Sequence, residues 1–245
     1  MSTINVDTIR SSSFIDAPID VNGVNITKSP SVSSIGIGEN SLQSIDSNSA
    51  DNVAVGKNTL ISVTTGDDNS AFGNSALQLT TGNNNVGLGR NAGATNTTGT
   101  NNIFIGNGAS GSSTTVDNSI TLGNSSHNIL RCAVTSITSL SDERDKKDIK
   151  DLTVGLNFVE NLRPVEFIWD ERAEIGKHDI ADFGFIAQDL KKSQEDVELA
   201  DTLKLVYEEN PEKLEASYGK LVPILVKAIQ ELSAKVTELE SKLNK

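Results

Sequence analysis

Glycines recur at a fixed phase through the first half of the chain. The fragments "IGIGENSL", "VAVGKNTL", "SAFGNSAL", "VGLGRNAG", "IFIGNGAS" and "ITLGNSSH" align at Gly38, Gly56, Gly73, Gly89, Gly106 and Gly123, in steps of 18, 17, 16, 17 and 17 residues. An apolar residue stands directly before each: Ile37, Val55, Phe72, Leu88, Ile105 and Leu122. Between the units recur "TTGDDN", "TTGNNN" and "TTGTNN". These are turn chemistry, because Gly and Asn tolerate positive φ and Asn side chains bond the nearby backbone. Each unit reads as a short strand, a glycine bend and a second short segment. One unit cannot bury its own face, whereas stacked units can. The phase therefore predicts a mainly β, solenoid-like roll over residues 34–126, since random low-complexity sequence does not hold register across six units.

Aromatic residues make up only 4% of the chain. A lone chain with so little bulk struggles to offset its ordering entropy by burial, so the repeats are expected to complete their core with other chains. Ahead of them, "INVDTI" and "DVNGVNIT" alternate apolar and polar residues, with "NG" as a hairpin turn. Residues 1–33 read as an N-terminal attachment or cap segment, and 127–140 as a linker.

At Ser141 the chain changes character. Residues 1–140 carry 5 basic and 9 acidic side chains, net −4; residues 141–245 carry 16 and 24, net −8; these sum to −12. Neither part has the basic excess that phosphate neutralisation needs, so nucleic acid and anionic membranes are not expected partners. Nothing resembles a signal peptide or a membrane span. In the second part "LTVGLNFVENL" has helical spacing of Leu152, Leu156, Val159 and Leu162. "PVEFIWD" reads as a strand, and "DFGFIAQDL" as a strand running into a helix. Val222, Leu225, Ile229, Leu232, Val236, Leu239 and Leu243 alternate steps of 3 and 4, a heptad seam. An α+β domain over 141–245, ending in a coiled coil at 220–244, is the expectation. β-branched residues alternating with Leu along the seam favour two strands. The roll argues for three, and a short terminal coil follows the symmetry of a larger assembly.

Other candidates read as structural. Cys132 is the single cysteine, expected to be a small buried or half-buried residue. His127 and His178 lie far apart with no cluster at ligand spacing, so no metal and no cofactor are expected. Asp67 and Asp68 read as a solvated turn rather than a glycosidase carboxylate pair. Trp169 reads as a core or interface anchor rather than a sugar platform.

Two resemblances add to these readings. Residues 34–126 resemble the head repeats of trimeric bacterial adhesins, in which short strands of three chains build a compact β-roll. The architecture is expected to carry over; the cell-surface role is not, because no secretion signal or membrane anchor is legible. The stretch "SDERDKKDI" resembles the junction of the intramolecular chaperone auto-processing domain of phage tailspikes and tail fibres, through Ser141, Asp142, Arg144, Lys146 and Ile149. "LRPVEFIWD", "DFGFIAQDL" and "YGKLVPILVKAIQEL" extend the likeness in order through 141–245. One position departs: Asp145 stands where the family has an aliphatic residue.

The resemblance implies a Ser–Lys dyad of Ser141 and Lys146 that cuts between Leu140 and Ser141. The hydroxyl needs a base, and lysine serves only when neutral, which burial favours. Five residues in a helix set side chains about 140° apart, so the segment has to bend. Asp142, Glu143, Asp145 and Asp148 crowd Lys146 with negative charge. The implied protein is a phage tail fibre or fibre-tip structural component, made in the host cytoplasm and located in the virion tail. It would be a homotrimer, partnered by other tail proteins and by a host surface receptor. Its peptidase would be a single-turnover self-cleaving serine endopeptidase without external substrates. The alternatives are an uncut fibre or receptor-binding adhesin that retains the chaperone, or a tailspike polysaccharide depolymerase. A depolymerase needs a carboxylate pair in a groove, and residues 34–126 hold few acids. A membrane-tethered transcription factor with a similar domain would need a transmembrane helix and a basic region, and neither is legible.

Overall fold

The computed structural model describes residues 19–21, 24–28, 33–127, 129–133, 137–170 and 179–244, with the backbone alone at 19–28. "INVDTI" and His178 lie outside the described residues, as do Asn22 and Gly23 of the expected hairpin turn. The chain divides into two compact units, Met1–His127 and Asn128–Lys245.

The first unit is a parallel β-solenoid. Strands β1 (Ile19–Val21) and β2 (Val24–Lys28) pair antiparallel, with Val21 opposite Val24. β2 pairs antiparallel with β3 (Ile35–Ile37). From there β4 (Val53–Val55), β5 (Ser70–Phe72), β6 (Val86–Leu88), β7 (Ile103–Ile105) and β8 (Ile120–Leu122) follow in parallel register, so the antiparallel pair covers one end of the ladder. The phased glycines turn the chain out of each strand at φ between +81° and +136°. Their backbones stack: a Cβ on Gly38 would lie 2.6 Å from the Gly56 carbonyl oxygen, and one on Gly73 2.5 Å from that of Gly89. Any side chain here would force the turns apart, which is why the phase is legible as glycine.

Burial inside each turn follows from pleat alternation. The middle residues Ala54, Ala71 and Phe104 are fully buried, together with Leu42, Leu60 and Leu77. Those three leucines hold φ of +53°, +48° and +48°. The left-handed conformation costs about 1–2 kcal/mol each, which burying the side chain, at about 1.5–3 kcal/mol, offsets. In the fourth repeat the same position is Gly93, and Phe104 of the next strand fills the space. A Cβ on Gly93 would meet Phe104 Cδ2 at 2.5 Å and Leu77 Cδ2 at 2.6 Å.

A second ladder precedes the strands. Asn52, Asn69, Asn85 and Asn102 are wholly buried. Each Oδ1 accepts the backbone N–H of the residue one turn on; the side-chain Nδ2 of Asn69, Asn85 and Asn102 also donates to it, and Ser34 and Ser119 close the two ends. Each Nδ2 also donates to a carbonyl: Gly66, Gly82, Gly99 or Val116. This asparagine ladder is satisfied from within the chain, as burial demands, whereas the buried Asn96 Oδ1 beside it has no hydrogen-bond partner among the described residues.

The apolar residues beside the glycines are outside this core. The first and third positions of each strand face away from it, and Phe72, Leu88, Ile105 and Leu122 are 42%, 49%, 39% and 56% exposed. One chain therefore leaves a continuous apolar sheet face open.

The second unit packs α1 (Leu156–Glu160) against α4 (Leu221–Leu243), with β9 (Pro164–Ile168) antiparallel to β10 (Ala181–Phe185), then α2 (Ala187–Asp196), α3 (Ala200–Leu203), β11 (Val206–Tyr207) and β12 (Glu215–Ala216). Val154, Phe158, Leu203, Leu205, Leu221 and Ile224 form its core. The helix expected over "LTVGLNFVENL" is shorter than its spacing implies, because Gly155 sits at its N-terminal boundary and Leu152 and Val154 precede it. A carboxylate oxygen of Glu231 accepts the Leu156 N–H at 2.8 Å, so α4 itself supplies the N-terminal cap. On α4, Leu221, Ile224 and Ala228 face the core. All seven heptad-seam residues face solvent. No helix among the described residues is long and apolar enough to cross a membrane. Cys132 is exposed, not buried: it lies in an exposed stretch without helix or strand, residues 129–133.

Candidate active site

Ser141 and Lys146 meet through a single tight turn. Asp142 takes extended backbone angles (φ −67°, ψ 137°) and caps a 3₁₀ helix over Glu143–Asp145, accepting the Arg144 N–H at 2.9 Å. Lys146 returns to extended geometry (φ −122°, ψ 147°) while its N–H bonds the Glu143 carbonyl at 3.0 Å. The 3₁₀ turn is the bend that the spacing requires: it is tighter than an α-helix, and the lysine side chain reaches back across it. As a result Lys146 Nζ donates to Ser141 Oγ at 2.6 Å and to the Ser141 carbonyl oxygen at 3.0 Å.

The charges of the turn are sorted rather than pooled. Arg144 grips Asp142 with Nε on Oδ1 at 3.0 Å and Nη2 on Oδ2 at 2.6 Å. This guanidinium, with the backbone bond from the same residue, holds the Asp142 carboxyl below its usual range, and the carboxylate raises Arg144 in return. Among the described residues no carboxylate lies within ion-pair distance of Lys146 Nζ, so Asp145 does not engage it. Leu140 is 98% exposed, which leaves the Leu140–Ser141 peptide open to attack. The Ser139 hydroxyl reaches the Leu140 carbonyl only at 3.5 Å, too long to polarise it strongly. Ser141 and Lys146 are themselves exposed. One chain therefore does not supply the burial that favours a neutral lysine.

The remaining candidates resolve into structure. Asp67 accepts the Ala50 N–H at 2.7 Å, and its own N–H bonds Asn83 Oδ1 at 2.8 Å, so it ties neighbouring turns. Trp169 stacks edge-on with Phe167 at 5.2 Å and donates to Asp182 at 3.1 Å. His127 is a role the sequence reading missed. Its ring packs beneath Gly123, 2.9 Å from where a Cβ would stand, while Nδ1 accepts the Asn124 N–H at 3.1 Å. In earlier turns the next glycine backbone fills that place; where the repeat stops, an imidazole closes it. A cleft beside α1 and α2 is lined by Phe158, Arg163, Asp189 and Lys192. Its cations are paired, Arg163 with Asp189 at 3.2 Å and Lys192 with Asp196 at 2.8 Å.

Residues 141–198 match the family model Peptidase_S74, chaperone of endosialidase, and Ser141 is the first residue of the match. No curated protein and no solved structure matches the chain.

Proposed function

We propose that this chain is a structural component of a phage tail fibre or fibre tip, which trimerises under its C-terminal chaperone and then cuts itself between Leu140 and Ser141. The observation that carries the reading is the 2.6 Å contact between Lys146 Nζ and Ser141 Oγ, at the first residue of the chaperone match. With the amine neutral that contact reverses direction: the hydroxyl donates and lysine is the base. Ser141 Oγ bonds the Leu140 carbonyl carbon as the Leu140–Ser141 C–N bond breaks. Lys146 takes the hydroxyl proton and returns it to the departing Ser141 nitrogen. Water then hydrolyses the ester, leaving a Leu140 carboxylate and a free Ser141 amine. The reaction runs once per chain and has no external substrate.

Two open apolar faces support the trimer: the sheet face carrying Phe72, Leu88 and Ile105, and the α4 seam carrying Ile229 and Leu232. Second and third copies are the occupants that repeat along both faces. Packing three chains at the junction would also desolvate Lys146 and favour its neutral form. The product belongs in the virion tail, beside other tail proteins and a host surface receptor.

Mass spectrometry of the purified chain tests this reading. The expected result is a single cut ahead of Ser141, abolished by Ser141→Ala and slowed at least about 100-fold by Lys146→Ala. Asp145→Leu accelerates it if through-space charge, rather than an ion pair, is what keeps Lys146 protonated. Cutting that persists in Ser141→Ala assigns the break to another protease. An uncut wild-type trimer favours the second reading, a fibre that retains its chaperone; the exposure of Lys146 in the single chain is the observation on that side. Nothing favours a depolymerase, since Asp67 is committed to the backbone.

A further inference from the structure

We propose that Arg144 is a positioning residue for the Ser141–Lys146 pair: by gripping both carboxylate oxygens of Asp142 it sets the turn that returns Lys146 to Ser141 and withholds the Asp142 carboxylate from the lysine amine. The inference rests on the self-cleavage reading and adds a residue to it.

Lys146 Nζ is held by the carbonyl and the hydroxyl of Ser141. Asp142 is the next residue in the chain, so its carboxylate is carried one residue from the groups that hold the amine. Left free, it would compete with the Ser141 hydroxyl for Nζ and stabilise the ammonium, which cannot act as a base. Arg144 removes that competitor. Oδ1 of Asp142 accepts both the Arg144 N–H at 2.9 Å and Nε at 3.0 Å, and Oδ2 accepts Nη2 at 2.6 Å. Arginine suits the task because its planar fork engages both oxygens at once and never loses its charge. The other charged side chains of the segment are Glu143, Asp145, Lys147, Asp148 and Lys150; all are exposed, and none of the acids reaches Nζ. An ion pair this exposed adds little to stability, so its consequence is local: the shape of the turn and the partner of the amine.

Four full-length chains decide the matter: wild type, Arg144→Ala, Asp142→Asn and the double variant, compared for cutting rate across a pH series. Arg144→Ala should cut roughly tenfold more slowly near neutral pH, with the deficit shrinking as pH rises. Adding Asp142→Asn should restore most of the rate, because Asn keeps the capping oxygen and carries no charge. Arg144→Ala cutting at the wild-type rate overturns the proposal. So does a double variant as slow as Arg144→Ala.

A second readout needs no cutting. In the Ser141→Ala chain, acetylation of Lys146 is measured against Lys147 and Lys150. Arg144→Ala should slow it roughly threefold, as expected if the carboxylate swings onto the amine, and Asp142→Asn should reverse the change. Equal or faster labelling of Lys146 in Arg144→Ala overturns the proposal. If wild type never cuts, the self-cleavage reading falls and the acetylation result alone judges Arg144. Should Arg144→Ala lose its circular dichroism signature, Arg144→Gln takes its place in both measurements.

Discussion

Gly155 and Glu231 show how one missing side chain ties two elements of the second unit together. A Cβ on Gly155 would stand 2.6 Å from a Glu231 carboxylate oxygen, the same carboxylate that caps α1 through the Leu156 N–H. Gly155→Ala therefore displaces the cap rather than opening a cavity, and loss of an N-terminal cap costs about 1 kcal/mol. Glu231→Ala removes the same interaction from the other side. The two variants should not add: the double variant should be about as destabilised as Glu231→Ala, which loses the shared cap together with a minor surface pair to Lys227 at 3.7 Å. Hydrogen exchange at the Leu156 amide in the full chain reads this directly. Full additivity would mean that Glu231 stabilises α4 by some route other than capping α1. The Ser141–Lys146 turn follows the same rule at shorter range, with Arg144 holding Asp142 as Glu231 holds Leu156.

Within the roll, neighbouring turns share their volume. Gly93 contributes no side chain and Phe104 fills the place of the leucine that three earlier turns carry. Phe104→Ala should therefore empty two turns at once, costing about 3–5 kcal/mol. Phe104→Leu should recover most of it, and the unfolding rate in guanidinium chloride distinguishes the two. A Phe104→Ala chain that unfolds at the wild-type rate would mean that the fourth and fifth turns contribute nothing to the barrier. The glycine phase was legible in the sequence because stacked turn backbones admit no Cβ, a constraint every repeat repeats. The left-handed leucines were not, since leucine ordinarily signals a helix or a plain core position. The exchange between Gly93 and Phe104 escaped notice because the compensation crosses from one repeat to the next. The start of α1 at Gly155 is hard to read for a related reason: the carboxylate that caps it, Glu231, lies 75 residues from Leu156. At the candidate site the Ser141–Lys146 spacing and the need for a bend were legible. The grip of Arg144 on Asp142 was not, because Asp142, Glu143, Asp145 and Asp148, interleaved with bases, read as a single field of charge.

For the whole molecule the central difficulty is register. Six strands repeat at nearly the same interval, so a chain that slips by one turn against its neighbours keeps most of its contacts. Such alternatives lie close in energy, and non-local pairing closes slowly. In the trimer proposed above, a domain that gathers three C-terminal ends first would raise the local concentration of the repeats and fix their start. The α4 seam and the apolar face of the roll are both exposed in the single chain, so each is free to take a further copy. The proposed cut, if it follows assembly, would remove the easy path back and leave stability as an unfolding barrier. Timing of removal, not the presence of residues 141–245, is then what matters. A gene ending at Leu140 should give insoluble or unassembled product, whereas chains cut after folding should keep the thermal resistance of the intact assembly. Light scattering gives the oligomeric state of each, and a melt followed by circular dichroism gives the resistance. A truncated gene whose product forms a trimer of equal resistance would show that the roll finds its own register, and the chaperone role would fall. A monomeric intact chain would remove the trimer itself, and a dimer would hand the symmetry to the two-strand preference of the α4 seam.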